Sequence, residues 1–218
     1  MPVLDSPLKL TISVTERCKL ACRHCYSDCN RRIDAELDTD RWLGFLDYLS
    51  ENGFVHVFLE GGEPLLRPDI WTLMEHAAPR MMTWLRTNGT LIDAAAASRI
   101  ADIGVGTVCV DLLGADAATH DGLTGVPGSF ARATEGIGHL RRHGVPVIMT
   151  LIVTRHAVGS LDAYLRLAKD LNVDRVGFLR LYPIGRARRN WADLAPGLEE
   201  TMAALAGLDR PDGIHVPL

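Results

Sequence analysis

Residues 8–29 read LKLTISVTERCKLACRHCYSDC, an apolar, β-rich run followed at once by cysteines at positions 18, 22, 25 and 29. The run LKLTISVT (8–15) has the continuous apolar character of a strand buried on both faces of a parallel sheet. Five similar runs follow: HVFLEGG (56–62), MTWLRTNG (82–89), TVCVDLLG (107–114), VPVIMTLIVT (145–154) and RVGFLRLYP (175–183). The segments between them carry helical spacing. In the first, Trp42, Phe45, Leu46 and Leu49 recur at i, i+3, i+4 and i+7, with Thr39 as the predicted cap and Asn52-Gly53 as the stop. Further helices are predicted over about 70–77, 94–101, 130–142, 161–171 and 198–205. Six strand–helix repeats imply right-handed parallel crossovers. The fold class is therefore α/β, a partial (β/α)6 TIM-like barrel with parallel strands, three-quarters of the eight-fold form. Residues 1–206 read as one core domain and 207–218 as a tail.

With 218 residues, 47% of them apolar, the chain can bury a substantial core. Its formal charge is −4, and its basic residues are spread out except around Arg186, Arg188 and Arg189. That is not the footprint of a nucleic-acid binder, so a small-molecule or peptide substrate is expected. The opening MPVLDSPLKL lacks the pattern of a signal peptide, and no run of about 18 uncharged apolar residues suggests a membrane span. The expected location is cytoplasmic. In a reducing compartment, four cysteines within twelve residues point to metal or redox chemistry rather than disulfides.

The cysteines stand directly after the first strand, where a barrel presents ligands on its functional rim. The spacing CxxxCxxC lets Cys18, Cys22 and Cys25 ligate three irons of a cubane cluster and leaves the fourth iron free for the nitrogen and oxygen of an amino acid. Spacing alone is equally compatible with tetrahedral zinc, completed by Cys29 or His24. No second cysteine pair follows to complete a zinc knuckle. Cys109 lies within the fourth strand and reads as a small buried apolar residue, and Cys29 as a loop thiol, since a fourth thiolate would close the site. Gly61-Gly62-Glu63-Pro64 ends the second strand and Thr87-Asn88-Gly89 the third; taken singly, each also reads as an ordinary turn.

CKLACRHCY resembles the cluster loop of the radical S-adenosylmethionine (SAM) superfamily, CxxxCxΦC, with His24 at the usually aromatic position and Tyr26 after the third cysteine. GGEP and TNG at the ends of the next two strands are similar to the same family's motifs. The resemblance implies a [4Fe-4S] cluster on Cys18, Cys22 and Cys25. It also implies a SAM site built from His24, Tyr26, Gly61, Gly62, Glu63, Pro64, Thr87, Asn88 and Asp111, with the GGEP backbone and acidic side chain meeting the SAM amino group. A flavodoxin- or ferredoxin-type protein would donate the electron, and the resulting 5′-deoxyadenosyl radical would abstract hydrogen from a substrate. CRHCYSD, GGEPLLRPD, TNGTLID, ATHD, VPGSF and YPIGRARRN extend the likeness to the subgroup that matures ribosomal peptides, including enzymes of mycofactocin and pyrroloquinoline quinone assembly, and to enzymes acting on haem-like precursors. Its members usually continue into a SPASM or twitch domain with auxiliary clusters; this chain reads as the core without that domain. The readings that compete are a tetrapyrrole or other small-molecule substrate, and a metal-binding module without catalysis.

Two subgroup motifs are altered. Where SLDG is usual the chain has Asp111-Leu112-Leu113-Gly114, and where HDxxRG is usual it has His120-Asp121-Gly122-Leu123-Thr124-Gly125. Asp111 reads either as a partner for ribose hydroxyls or as a helix cap. Thr124 cannot form the two-pronged bond to a carboxylate that the family's arginine makes. Arg155 and Arg180 are candidate replacements. Arg186, Arg188 and Arg189 read as a solvated loop, or as contacts to a carboxylate-bearing substrate.

Overall fold

The computed structural model describes residues 8–30, 36–208 and 215. Strands β1 (Lys9–Ser13), β2 (His56–Glu60), β3 (Met82–Thr87), β4 (Thr107–Asp111), β5 (Val147–Val153) and β6 (Arg175–Arg180) alternate with helices. The crossover helices are α1 (Thr39–Glu51), α2 (Ile70–Ala77), α3 (Ala94–Ile103), α4 (Ala117–Thr124), α5 (Ser129–Arg142) and α6 (Leu161–Asp170). After β6 come α7 (Gly185–Arg189), α8 (Trp191–Leu194) and α9 (Leu198–Ala206). The strands form one sheet in the order β1-β2-β3-β4-β5-β6, every pair parallel. Sequential order without a reversal is the winding of a barrel; β1 and β6 are the two edges, so the barrel is open.

The expectation of strands buried on both faces holds at mid-sheet, where Phe58 of β2, Cys109 of β4 and Thr150 of β5 are buried along with their neighbours, and fails at the edge strand β1. Alternate residues Ile12, Val57, Leu59, Leu85, Val108, Val110, Met149, Leu151 and Val176 join Leu46, Leu73, Ile100, Ile137 and Leu165 from the helices in one core. The opposite, inward face carries Lys9, His56, Phe58, Trp84, Arg86 and Asp111. On β1 this face, at Lys9, Thr11 and Ser13, is exposed. Six strands leave no opposing wall to cover it, so the inner layer is built from rings and charges: His56 packs 4.7 Å from Trp84, and Lys9 Nζ lies 4.9 Å from the Phe58 ring centre.

The first helix begins one residue earlier than read: its cap is Asp38, whose Oδ1 accepts from Arg41 N at 2.9 Å. Thr39 is not free to cap, because its hydroxyl donates to Asp69 Oδ2 at 2.6 Å and ties α1 to the start of α2. The tail reading, 207–218, falls mostly outside the described residues. Of those described, His215 bridges to the start of β6, accepting from Val176 N at 3.0 Å.

Arg67, only 6% exposed, joins three elements: Nη1 donates to Val14 O (2.9 Å), Nη2 to Leu37 O (2.8 Å), and Nε lies 2.7 Å from Asp69 Oδ1. Arg67→Ala would leave the Val14 carbonyl and the Asp69 carboxylate without their cation, and unfolding in urea should show a loss of about 3 kcal/mol. Arg67→Lys should recover only a minor part, since one ammonium cannot fork to all three.

Candidate functional site

Residues 18–30 have no helix or strand of their own, so their backbone groups must be satisfied from outside. On one side α4 ends beneath them: Ala21 N donates to Thr124 O and Arg23 N to Leu123 O, both at 2.9 Å. On the other side lies α7. Arg186 donates from Nε to Cys22 O (2.8 Å), from Nη1 to Cys29 O (3.1 Å) and from its backbone N to Cys25 O (2.8 Å). Asn190 Nδ2 donates to Arg23 O (3.0 Å), and Arg189 grips Asp28 with both terminal nitrogens. Gly185 approaches so closely that a Cβ would stand 2.2 Å from Tyr26 O, which leaves room for no side chain. The arginines read as a solvated loop are therefore, at Arg186 and Arg189, the clamp on the cysteine loop. Arg188 alone fits the solvated reading, and it is exposed.

Cys18, Cys22, Cys25 and Cys29 share a cavity of about 320 Å³ with His24, Tyr26, Gly61, Gly62, Thr87, Asn88 and Asp111. Gly61 and Gly62 are there for packing: Gly62 N donates to Thr15 O (2.7 Å), and a Cβ on Gly62 would meet Arg17 O at 2.3 Å. The loop after β2 is thus pressed against the residues that launch the cysteine loop. Of the GGEP motif, Glu63 and Pro64 stand behind the cavity wall. Glu63 is fully buried and accepts from Thr87 Oγ1 (2.8 Å), Asn88 N (2.9 Å) and Leu65 N (3.1 Å), so its carboxylate welds the second rim loop to the third. Burial outweighs those bonds and pushes its carboxyl up to about 7.

Asp111 does not cap a helix, since Asp116 caps α4. It accepts a short hydrogen bond from Thr150 Oγ1 and lies 3.9 Å from Arg86 Nη1; Arg86 Nε in turn lies 3.7 Å from Glu60 Oε2, and Glu60 Oε1 accepts from the Tyr26 hydroxyl at 2.6 Å. Tyr26 is thereby anchored to the inner face of the sheet. The altered HDGLTG stretch is structural. His120 Nδ1 accepts from Leu113 N (2.9 Å), and Asp121 accepts from Gly128 N (2.6 Å) and Phe130 N (2.8 Å) at the start of α5. Thr124 borders the cavity, but its hydroxyl is buried against Ser129 Oγ at 2.7 Å. Arg155 donates to Ala195 O, away from the cavity; Arg180 is exposed at the rim. Leu113, Leu123, Leu181, Ala187 and Leu194 pack together against Cys22, giving the loop an apolar seat that the sequence did not announce.

The donor set fits an iron–sulfur cluster. Three thiols from one loop face one cavity. A cubane needs its thiolates only to line one cavity, because each takes its own iron. Leu20 N donates to Cys18 Sγ (3.4 Å). Burial raises the Cys22 and Cys18 thiols, a cost that iron relieves by taking the thiolates. Asn88 Nδ2 and His24 Nδ1 are buried at the wall without partners, so a ligand bearing polar groups fits beside them. His24 is held neutral by burial.

The chain matches the family model of the radical SAM superfamily over residues 12–168. It is 36% identical over 206 residues to the mycofactocin maturase MftC of Mycobacterium ulcerans, covering 92% of this chain and 54% of that protein. To the AdoMet-dependent heme synthase of Nitratidesulfovibrio vulgaris it is 32% identical over 176 residues, covering 80% and 48%. Streptococcus suis SuiB bound to S-adenosylmethionine superposes with a TM-score of 0.79 at 18% identity, over 97% of this chain and 51% of that one, a likeness of fold alone. The chain spans about half the length of the curated relatives it matches.

The buried Glu63 makes a pH signature. Its folded pKa of about 7 lies above the ordinary 4.5, so between these values the folded state holds the extra proton. Stability of the metal-free protein should fall as pH rises through that window, by about 3 kcal/mol in total. Glu63→Gln should flatten this part of the profile while lowering stability at pH 5, where its amide opposes the Asn88 N–H. Chemical unfolding at several pH values reads both effects.

Proposed function

The chain belongs to the radical SAM superfamily, and we propose that it cleaves S-adenosylmethionine reductively at a [4Fe-4S] cluster held by Cys18, Cys22 and Cys25, in the maturation of a peptide. The observation that carries this reading is the meeting of the three thiols, the Gly61-Gly62 backbone and Asn88 around one cavity. When bound, the cluster supplies the electron, delivered by a flavodoxin- or ferredoxin-type partner, that splits SAM into methionine and a 5′-deoxyadenosyl radical.

The chain's own part is to bind, orient and enclose. The Gly61-Gly62 backbone and the Asn88 amide would receive the amino-acid end of SAM, and the charge of Glu63 behind them would favour its ammonium. Asp111, with its Arg86 and Thr150 partners, would serve the ribose hydroxyls, and His24 and Tyr26, which line the same cavity, would hold the adenosine. Leu20, Leu113, Ile152 and Leu179 line the remainder with apolar surface that excludes water from a reactive species. A peptide substrate is favoured by the maturase MftC and by SuiB, whose fold is also known bound to its precursor peptide SuiA (TM-score 0.76, 19% identity, 99% of this chain and 50% of that one). The heme synthase relative supports a tetrapyrrole as the second reading. The altered HDGLTG segment gives little weight to a module without catalysis, because its residues are engaged in holding the loop and α5.

Anaerobic reconstitution should load about four irons and four sulfides per chain. Cys18→Ala, Cys22→Ala or Cys25→Ala should abolish the cluster signal in electron paramagnetic resonance (EPR), and Cys29→Ala should retain it. Dithionite-reduced protein given SAM should release 5′-deoxyadenosine and methionine, slowly without substrate. A fully loaded, reducible protein that binds SAM and yields neither product would overturn the proposal.

A further inference from the structure

The last turn of the cysteine loop carries groups that the proposed reaction leaves unused. Ser27 Oγ lies 2.9 Å from Cys29 Sγ and 3.5 Å from Cys25 Sγ, so one hydroxyl bridges an iron ligand and a thiol that is not one. We infer that Ser27 and Cys29 form a hydrogen-bond relay onto the Cys25 sulfur that raises the reduction potential of the bound cluster. This rests on the reading of Cys18, Cys22 and Cys25 as the ligands.

Chemistry fixes the direction of the relay. An iron-bound thiolate has no proton to give, so the Ser27 hydroxyl donates to Cys25 and accepts, in turn, from the Cys29 thiol. A hydrogen bond donated to a ligand sulfur stabilises negative charge there. One-electron reduction adds charge that the sulfurs share, so the reduced form gains more than the oxidised one and the potential rises. Each bond in the chain polarises the next, which gives Cys29 its influence at one remove.

The arrangement is built rather than incidental. Asp28 and Asn30 sit at φ of 53° and 70°, a left-handed region that residues with side chains seldom adopt. Those two turns fold Cys29 back toward Cys25, and each is held from outside. Arg189 grips Asp28 at 3.0 and 2.8 Å, Arg186 Nη1 donates to Cys29 O, and Asn30 exchanges two hydrogen bonds with the Cys18 backbone at 2.9 and 2.7 Å. Cys29 is 5% exposed, so water does not compete for its thiol. Ser27 and Cys29 are positioning residues in this account, acting on the cluster through Cys25.

The test is an EPR-monitored redox titration of the reconstituted wild type, Ser27→Ala, Cys29→Ala and Cys29→Ser, with iron measured in each. Ser27→Ala should keep its iron and shift the midpoint downward, so that the reduced-to-oxidised ratio at a fixed potential falls about tenfold, or about 59 mV for one electron. Cys29→Ala should shift it the same way by less, and Cys29→Ser, which retains a donor, should stay near wild type. Unchanged midpoints in both alanine variants overturn the relay while leaving the proposed function intact. Iron lost on Cys29→Ala also overturns it, by making Cys29 a ligand. A wild type that takes up no reducible cluster brings down the relay together with the function on which it rests.

Discussion

A loop without regular structure cannot hold three thiols in place by itself, and the rest of the site depends on how residues 18–30 are held. Every carbonyl that a ladder would have paired needs a donor from elsewhere. Arg186 supplies three through its backbone and side chain, and the end of α4 accepts the loop's own N–H groups. An arginine suits this task because its rigid fork reaches two carbonyls at once, where a lysine would offer a single mobile point. Its charge is then a by-product placed where an anionic cluster would feel it. The same clamp binds α7 to the loop, so the segment that follows the sheet's last strand is tied to its first connection although the two strands lie at opposite edges.

The open sheet sets the character of the cavity. In a closed barrel the inward side chains pack against one another and become a core. Here the inward face of β1 meets solvent, and the layer near the strand ends is a chain of polar contacts from Tyr26 through Glu60 and Arg86 to Asp111 and Thr150. In that chain the Arg86 guanidinium stands between the Glu60 and Asp111 carboxylates, and this opposition of charge is what permits ionised groups at a half-covered wall. That layer also gives the cavity one face of hydrogen-bonding groups and one of aliphatic side chains.

The strands and the site's outline were legible in the sequence because they rest on local signals: apolar runs of seven to ten residues, glycines at strand ends, and cysteines at fixed spacing. α4 was missed because Ala117–Thr124 buries little apolar surface and shows weak periodicity; its role is to end beneath the cysteine loop. Thr39 against Asp38 was a choice between adjacent caps that only the tertiary bond to Asp69 decides. Arg186 and Arg189 had no signature at all, since a cation that caps carbonyls some 160 residues away in sequence looks the same on paper as one in water. GGEP was legible as a place, but the division of labour inside it was not. The glycines line the cavity because a neighbouring backbone passes too close for any side chain, and the glutamate sits behind them.

That division has a thermodynamic consequence. A carboxylate with its pKa raised to about 7 destabilises the ligand-free fold at neutral pH, and three hydrogen bonds do not offset the loss of water. The group persists in a position where a neutral residue would give a more stable apoprotein. A cation arriving on the other side of the Gly61-Gly62 wall changes the balance, because it favours the charged carboxylate and so stabilises the folded state by linkage. On the proposed function, the cationic end of SAM would be such a group, and part of its binding energy would come from relieving the desolvated carboxylate.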